Sequence, residues 1–149
     1  MEATSPISLI LAGKPRGLFS VTPSTTVYDA IRTMADHNIG AVVVLDGDRL
    51  EGVFSERDYT RKLILQGRLS RETAVADVLT RPVITVEPST SVADCMRVMT
   101  DNRIRHLPVL EGSDLVGLIS IGDCVKWVIS QQNAHIEHLE RYISGDYPG

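Results

Sequence analysis

A chain of 149 residues that is 43% hydrophobic and 23% charged is ordinary globular material, long enough to bury one substantial core. Its formal charge of -4 provides no field that would draw it onto nucleic acid, so no nucleic-acid partner is expected. The longest apolar run, Ala41 to Leu45, is far shorter than the roughly 20 residues that span a bilayer, and the N-terminus lacks a secretory pattern. We therefore expect a cytoplasmic protein with no membrane partner.

The first half of the chain combines short apolar runs with amphipathic segments. Apolar residues from Val27 to Met34 share one face at helical spacing, and Thr26 with Asp29 has the spacing of a helix N-cap. Two apolar runs around the turn Asp46-Gly47 predict a hairpin. The predicted elements are a helix over 5–11, a strand around Val21, a helix from Val27, strands over 41–45 and 50–54, and a helix over 56–66.

The second half repeats the first at an offset of 65 residues. From Val21 aligned with Val86 to Asp58 aligned with Asp123, 17 of 38 positions are identical without a gap. Two copies are too few for a solenoid, so we expect an α+β module of two β-α-β-β-α repeats related by pseudo-twofold symmetry. The predicted segments are an N-terminal helix and lead-in (1–19), repeat 1 (20–66), a linker with a short helix (67–79), repeat 2 (80–130), and a C-terminal helix and tail (131–149).

Smaller features complete the prediction for the second half. Repeat 2 is expected to contain a strand over 83–86, a helix from Val92 capped by Ser91, strands over 107–110 and 115–119, and a helix over 123–132. Cys95 and Cys124 lie 29 residues apart without metal-binding spacing, which predicts reduced, packed thiols and no metal site. An apolar stripe predicts that the C-terminal helix packs on its own domain or on a second copy: Val128, Ile129, Gln132, Ile136, Leu139 and Ile143.

Two related peptides close the hairpins and open the following helices. Gly52 to Asp58 and Gly117 to Asp123 both follow the pattern Gly-h-h-Ser-x-x-Asp, where h is apolar. One interpretation is a capping box, in which Ser and Asp satisfy free backbone N–H groups. The other is a ligand site, because glycine permits close approach, a helix N-terminus favours phosphate, and a carboxylate can accept both hydroxyls of a ribose. The spacing alone leaves both interpretations open.

A 65-residue repeat that ends in this pattern resembles the tandem cystathionine-β-synthase-type (CBS) domain pair, also called a Bateman module. The resemblance covers nearly the whole chain. It implies ribose or phosphate contacts from Ser55 and Asp58 in one site and from Ser120 and Asp123 in the other. It further implies base pockets lined by Phe54, Ile39, Ile119 and Ile104, completed by Thr80 with Ile84 for the Asp58 site and by Lys14 to Phe19 for the Asp123 site.

Basic residues suggest where phosphates would lie. Arg105 and His106 precede a predicted strand and could face phosphates, or they could form a solvated basic patch; Arg57 is a similar candidate near Asp58. The repeats differ at these positions, so we expect unequal sites. At the aligned positions, repeat 1 has Gly40-Ala41 where repeat 2 has Arg105-His106, Val43 where repeat 2 has Pro108, and Arg57 where repeat 2 has Gly122.

The sequence contains no nucleophile elbow, no metal-binding His/Cys spacing and no phosphate loop, so we expect no enzyme and no required cofactor. Duplicated ligand-holding residues favour a binding module over a catalytic centre. The resemblance implies a sensor whose ligand is an adenine nucleotide, with AMP expected and ATP or NADH as alternatives. The sensor would act on a separate, unidentified protein, and the resemblance implies a homodimer. The alternatives are a ligand-free scaffold or a binder of another adenosyl ligand such as NAD(H) or S-adenosylmethionine.

Overall fold

The computed structural model of the chain describes residues 4–14 and 18–144, with side chains described as far as residue 139. Three strands form one sheet in the order β1-β2-β3, and two strands form a hairpin, β4-β5. Among the described helices, none has the length and apolar character of a membrane span. The elements are α1 (Ser8–Ala12), β1 (Ser20–Val21), α2 (Val27–His37), β2 (Ala41–Asp46), β3 (Arg49–Ser55), α3 (Glu56–Lys62), α4 (Val92–Asn102), β4 (His106–Glu111), β5 (Asp114–Ser120) and α5 (Ile121–Ser144), with 3₁₀ turns at Ile64–Gln66 and Val75–Asp77.

The chain divides into two units, here named after the aspartate of each motif. The Asp58 unit contains Pro15–Val86 and Pro108–Leu118. Its sheet pairs β1 parallel to β2 and β2 antiparallel to β3, so that Val42 lies opposite Phe54. Helix α2 and the 3₁₀ turn at Val75–Asp77 contribute to the same core. This core contains Val27, Ala30, Met34, Val42, Val44, Phe54, Leu63, Val75, Val78 and Leu79.

The Asp123 unit contains Met1–Lys14, Glu87–Leu107 and Ile119–Gly149. Helices α1 and α4 both contact α5 within this unit. Cys95 and Cys124 are buried free thiols, as predicted. Burial is the main cause that raises the pKa of Cys95 to about 12 and that of Cys124 to about 11, and nearby negative charge adds to it. The other buried apolar residues of this unit include Ile7, Ile10, Val92, Met99, Leu107 and Ile119.

Each first helix is completed by a lead-in segment from outside its own repeat. In the Asp58 unit, the Val27 N–H donates to the Thr73 carbonyl and the Val75 N–H donates to Thr25. In the Asp123 unit, the Val92 N–H donates to the Ser5 carbonyl and the Ile7 N–H donates to Thr90. Residues 73–80 and 5–14 are therefore structural counterparts, and both satisfy helix N-terminal N–H groups that would otherwise lack a partner.

The predicted helix caps are confirmed, since Thr26 accepts from the Asp29 N–H and Ser91 from the Asp94 N–H. The strand predicted over 83–86 is wrong, because only Val86 pairs there, through a bridge to Val109. Pro82 and Pro88 flank this run and have no N–H to donate to a strand partner.

Two helix boundaries also differ from the prediction. The helix predicted over 56–66 ends at Lys62 and continues only as the 3₁₀ turn Ile64–Gln66, which the left-handed Gly67 terminates. The helix predicted over 123–132 and the C-terminal helix are one continuous helix, α5, with no break near residue 131. Since residues 125–139 include no proline or glycine, nothing in the local sequence interrupts the helix.

Candidate functional site

In the Asp58 unit, Ser55 and Asp58 form a reciprocal capping box at the start of α3. The Asp58 N–H donates to Ser55 Oγ at 3.1 Å, and the Ser55 N–H donates to Asp58 Oδ2 at 2.9 Å. Ser55 Oγ also donates to Oδ2 at 3.1 Å. The capping interpretation of this motif is therefore confirmed as geometry, whatever further role the pair has.

The second oxygen of Asp58 is occupied as well. Thr80 Oγ1 donates to Asp58 Oδ1 at 3.0 Å, and Lys62 Nζ lies 3.3 Å from the same oxygen. The side chain of Asp58 is only 11% exposed. Both carboxylate oxygens therefore already accept protein donors, and Asp58 ties α3 to the chain segment that enters repeat 2.

Gly52 brings that segment close to the sheet. A Cβ at Gly52 would lie 2.6 Å from Leu79 Cδ1 and 3.2 Å from the Thr80 carbonyl oxygen. The Thr80 N–H in turn donates to the Val53 carbonyl at 3.3 Å. The first glycine of the motif therefore admits the protein's own chain, a close approach that the ligand-site interpretation had assigned to a ligand.

In the Asp123 unit, Ser120 and Asp123 form the same box at the start of α5. The Ser120 N–H donates to Asp123 Oδ2 at 2.9 Å, and the Asp123 N–H donates to Ser120 Oγ at 3.0 Å. Lys14 Nζ donates to Oδ2 at 2.8 Å. Burial alone would raise the pKa of Asp123, but the hydrogen bonds from Lys14 and Ser120 and the charge of Lys14 outweigh it and lower the pKa below 3.8.

The carboxylate of Asp123 is more open than that of Asp58. Its side chain is 23% exposed, against 11% for Asp58. Within the described part of the chain, the hydrogen bonds to Asp123 fall on Oδ2, and Oδ1 accepts none. Among the residues that the structure describes, Oδ1 is therefore the carboxylate oxygen to which a ligand hydroxyl could donate.

The chain segment that contains the basic residue Arg105 lies next to the start of α5. The Ile121 N–H, at the first turn of α5, donates to the Arg105 carbonyl at 2.9 Å, which places the Arg105 backbone beside the Ser120–Asp123 box. The Arg105 side chain is exposed, and His106 is half-buried. In the Asp58 unit the equivalent bond runs from the Glu56 N–H to Gly40, which has no side chain to offer.

Two of the residues that were predicted to line the base pockets are not accessible to a ligand. Phe54 and Ile119 are 0% exposed and pack in the cores of their units, so the expectation that their side chains line base pockets is wrong. Phe54 and Ile119 stand next to the half-exposed Ser55 and Ser120 along β3 and β5, so they point to the opposite face of each strand. That face packs in the core and is closed to a ligand.

Ile39 and Ile104 are half-buried and follow left-handed residues that end α2 and α4. Both retain side-chain surface that a base could contact. Phe19 belongs to the Asp58 unit, where its ring stacks on His37 with centroids 3.8 Å apart. Of the remaining nominees, Arg57 and Ile84 are half-buried, Pro108 is buried, and Gly122 is exposed.

Thr80 contacts Asp58 and Lys14 contacts Asp123, so each pair lies together as predicted from the sequence. Lys62 also pairs with Asp58, and the spacing of four residues along α3 is the usual sequence signal for such an ion pair.

The comparisons with known proteins agree with this architecture. A family model for the CBS domain matches residues 16–65 and 75–130. The chain therefore belongs to the CBS-domain family, whose pairs typically form regulatory modules for adenosyl ligands. A solved structure from Burkholderia ambifaria, described as a signal-transduction protein with CBS domains, is 50% identical, has a TM-score of 0.83, and matches over 86% of this chain and 96% of its own.

Two curated relatives cover much of the chain. The mitochondrial CBS domain-containing protein CBSX3 of Arabidopsis thaliana is 45% identical over 131 residues, which is 85% of this chain and 64% of that protein. The CBS domain-containing protein YhcV of Bacillus subtilis is 30% identical over 115 residues, 77% of this chain and 81% of YhcV. This chain thus spans less than two thirds of the length of CBSX3. Because that relative is described as mitochondrial, a cytoplasmic location for this chain stays a prediction.

Proposed function

We propose that this chain is a non-catalytic regulatory module that binds an adenine nucleotide at the Asp123 unit. The observation that carries the proposal is the partly exposed Asp123 carboxylate, whose Oδ1 accepts no hydrogen bond from the described residues, beside Ser120, Lys14 and the backbone of Arg105. A carboxylate with a free oxygen suits a ribose hydroxyl, and ammonium and guanidinium groups suit a phosphate. The equivalent carboxylate, Asp58, offers no comparable free oxygen among the described residues.

The favoured ligand is AMP-like. Asp123 would accept a ribose hydroxyl through Oδ1, Arg105 would contact the phosphate, and Ile104 would contact the base. Lys14 can serve either group, since it already reaches the carboxylate. ATP and NADH share the adenosine part and differ in the phosphates, so they are the informative competitors.

Regulation would follow from competition at Lys14. A ligand that engages the carboxylate of Asp123 changes what Lys14 binds, and Lys14 follows α1 almost directly along the chain. If a separate target protein prefers one of the two arrangements of this segment, the ligand shifts the population towards it. The target itself is a different protein, recognised by the state of the module.

Calorimetric titration of ligand-free protein with adenosine, AMP, ATP and NADH tests the proposal. The matched variant is Arg105→Gly, which gives repeat 2 the residue that repeat 1 has at Gly40. We expect saturable AMP binding that Arg105→Gly weakens roughly tenfold or more, with a smaller effect on adenosine, because the lost contact is charge-assisted. Flat titrations of folded wild-type protein would overturn the proposal and favour a scaffold role.

A further inference from the structure

Helix α5 has two apolar faces with different surroundings. The first contains Cys124, Trp127, Val128 and Gln131, which are buried or half-buried. These residues have the i, i+3, i+4, i+7 spacing of a face that packs on its own domain, and α1 and α4 contact α5 in this unit. This face is therefore accounted for by the fold of the Asp123 unit.

The second face, here called the α5 seam, contains Val125, Ile129, Gln132, Ile136 and Leu139. Its four apolar members are 41%, 51%, 51% and 45% exposed, respectively, and Gln132 is exposed too. Successive members are four, three, four and three residues apart, the heptad spacing at which two helices wind around each other. At about 100° per residue, the seam is centred roughly 110° around the helix from the packed face.

The seam continues along residues 132–139 of α5, beyond the part of the helix that packs on its own unit. Every residue from Gln132 to Leu139 is exposed, so this part of the helix has no packed face among the described residues. A stretch of helix without tertiary packing is marginally stable in water. Ile136 and Leu139 therefore present apolar surface on a segment that needs a partner to be well formed.

We infer that the α5 seam is a homodimer interface, in which two copies of this chain pair their α5 helices in parallel and in register. A second copy supplies a seam of identical spacing, which is what heptad packing requires. The flanking positions 126, 128, 133 and 135 include one formally charged residue, Lys126, so pairing brings no like charges face to face. Beyond the expected homodimer, this assigns the interface to α5, and it does not depend on nucleotide binding.

The parallel orientation follows from Gln132. In a parallel pair, Gln132 faces Gln132 of the second copy, and each amide can both donate and accept. In an antiparallel pair, heptad packing would place Gln132 against Ile136, leaving the amide without a polar partner at a core position. A single polar residue in a heptad core commonly fixes register in this way.

Sedimentation equilibrium of the full chain without nucleotide tests the interface. We expect a wild-type dimer at tens of micromolar protein, a monomer for Ile136→Asp, and a dimer for the control Ala134→Asp, which puts the same charge on the opposite, exposed side of the helix. A monomeric wild type, or an Ile136→Asp variant that remains dimeric, would overturn the inference. Nucleotide titration of the monomeric variant then tests the proposed function separately.

Crosslinking tests the orientation. Val125→Cys should form an intermolecular disulfide under a mild oxidant in the parallel pair, where the two positions face each other. In the antiparallel pair, 125 would lie opposite residue 143, about 27 Å along the helix from the other copy's 125. The native Cys95 and Cys124 are buried and should stay unreacted. Absence of the crosslink in a dimeric Val125→Cys protein would contradict the parallel arrangement.

Discussion

Asp58 and Asp123 occupy equivalent positions in two copies of one motif, yet their carboxylates are used differently. Asp58 is nearly buried, with donors on both oxygens from Ser55, Thr80 and Lys62. Asp123 is more exposed and accepts on one oxygen only, within the described residues. The same residues at the same spacing thus build a structural tie in repeat 1 and an open acceptor in repeat 2.

The difference comes from residues outside the motif. The lead-in segment supplies a short neutral donor, Thr80, to one carboxylate and a long cationic donor, Lys14, to the other. The position beside the helix start is Gly40 in repeat 1 and Arg105 in repeat 2. A binding motif should therefore be judged by the donors that already occupy it.

The largest expected effect on stability is that of Asp58→Ala. It removes the capping box and leaves the Ser55 N–H and Thr80 hydroxyl without their acceptor, so we expect a loss of about 3 kcal/mol in the free energy of unfolding. The matched Asp123→Ala should lose about 1 kcal/mol, because fewer donors depend on a more open carboxylate. Urea denaturation of both variants measures this, and equal losses would contradict the assigned difference.

Gly52→Ala should destabilise the chain by about 1 to 3 kcal/mol, because its Cβ must displace Leu79 and the Thr80 backbone. The control is Gly122→Ala in the first turn of α5, where the nearest atom would be 3.6 Å away. Alanine favours a helix over glycine, so this control should be neutral or stabilising by up to about 1 kcal/mol. Thermal denaturation distinguishes the two, and a neutral Gly52→Ala would argue against the close approach.

Thr80→Val should cost about 1 to 2 kcal/mol, because it removes a hydrogen bond to a nearly buried carboxylate while keeping the side-chain shape. Thr80→Ser retains the hydroxyl and should lose much less. The comparison of these two variants by urea denaturation isolates the hydrogen bond, and similar losses for both would assign the effect to packing instead.

The smallest effect is expected for Lys14→Met, below about 1 kcal/mol at neutral pH, because the Lys14–Asp123 pair is partly exposed to solvent. The pKa of Asp123 is lowered in the folded chain, so the contribution of the pair is present above the ordinary value of 3.8 and is lost as the pH falls through the folded-state value. The free energy of unfolding, measured at neutral pH and well below pH 3.8, should differ between variant and wild type at neutral pH, and this difference should vanish in acid. A difference in the free energy of unfolding that persists in acid would exclude the ion pair as its cause.

The fold was largely predictable, because internal repetition and alternating patterns report on local structure and core faces. The Ser–Asp boxes and the Thr80 and Lys14 contacts also followed from motif and family resemblance. Phe54 and Ile119 were misassigned because an apolar residue next to a motif can face either the core or a ligand, and sequence does not say which. Which oxygens of Asp58 and Asp123 accept hydrogen bonds from the described residues depends partly on Thr80 and Lys14, which are distant in sequence and which no local pattern encodes.

The central claim is that the Asp123 unit, and not the Asp58 unit, holds the nucleotide. AMP titration of Asp123→Asn and Asp58→Asn tests it most directly, once circular dichroism has shown both variants to be folded. We expect Asp123→Asn to weaken AMP binding roughly tenfold or more and Asp58→Asn to leave the affinity within about threefold of wild type. Loss of binding in Asp58→Asn with retention in Asp123→Asn would contradict the account.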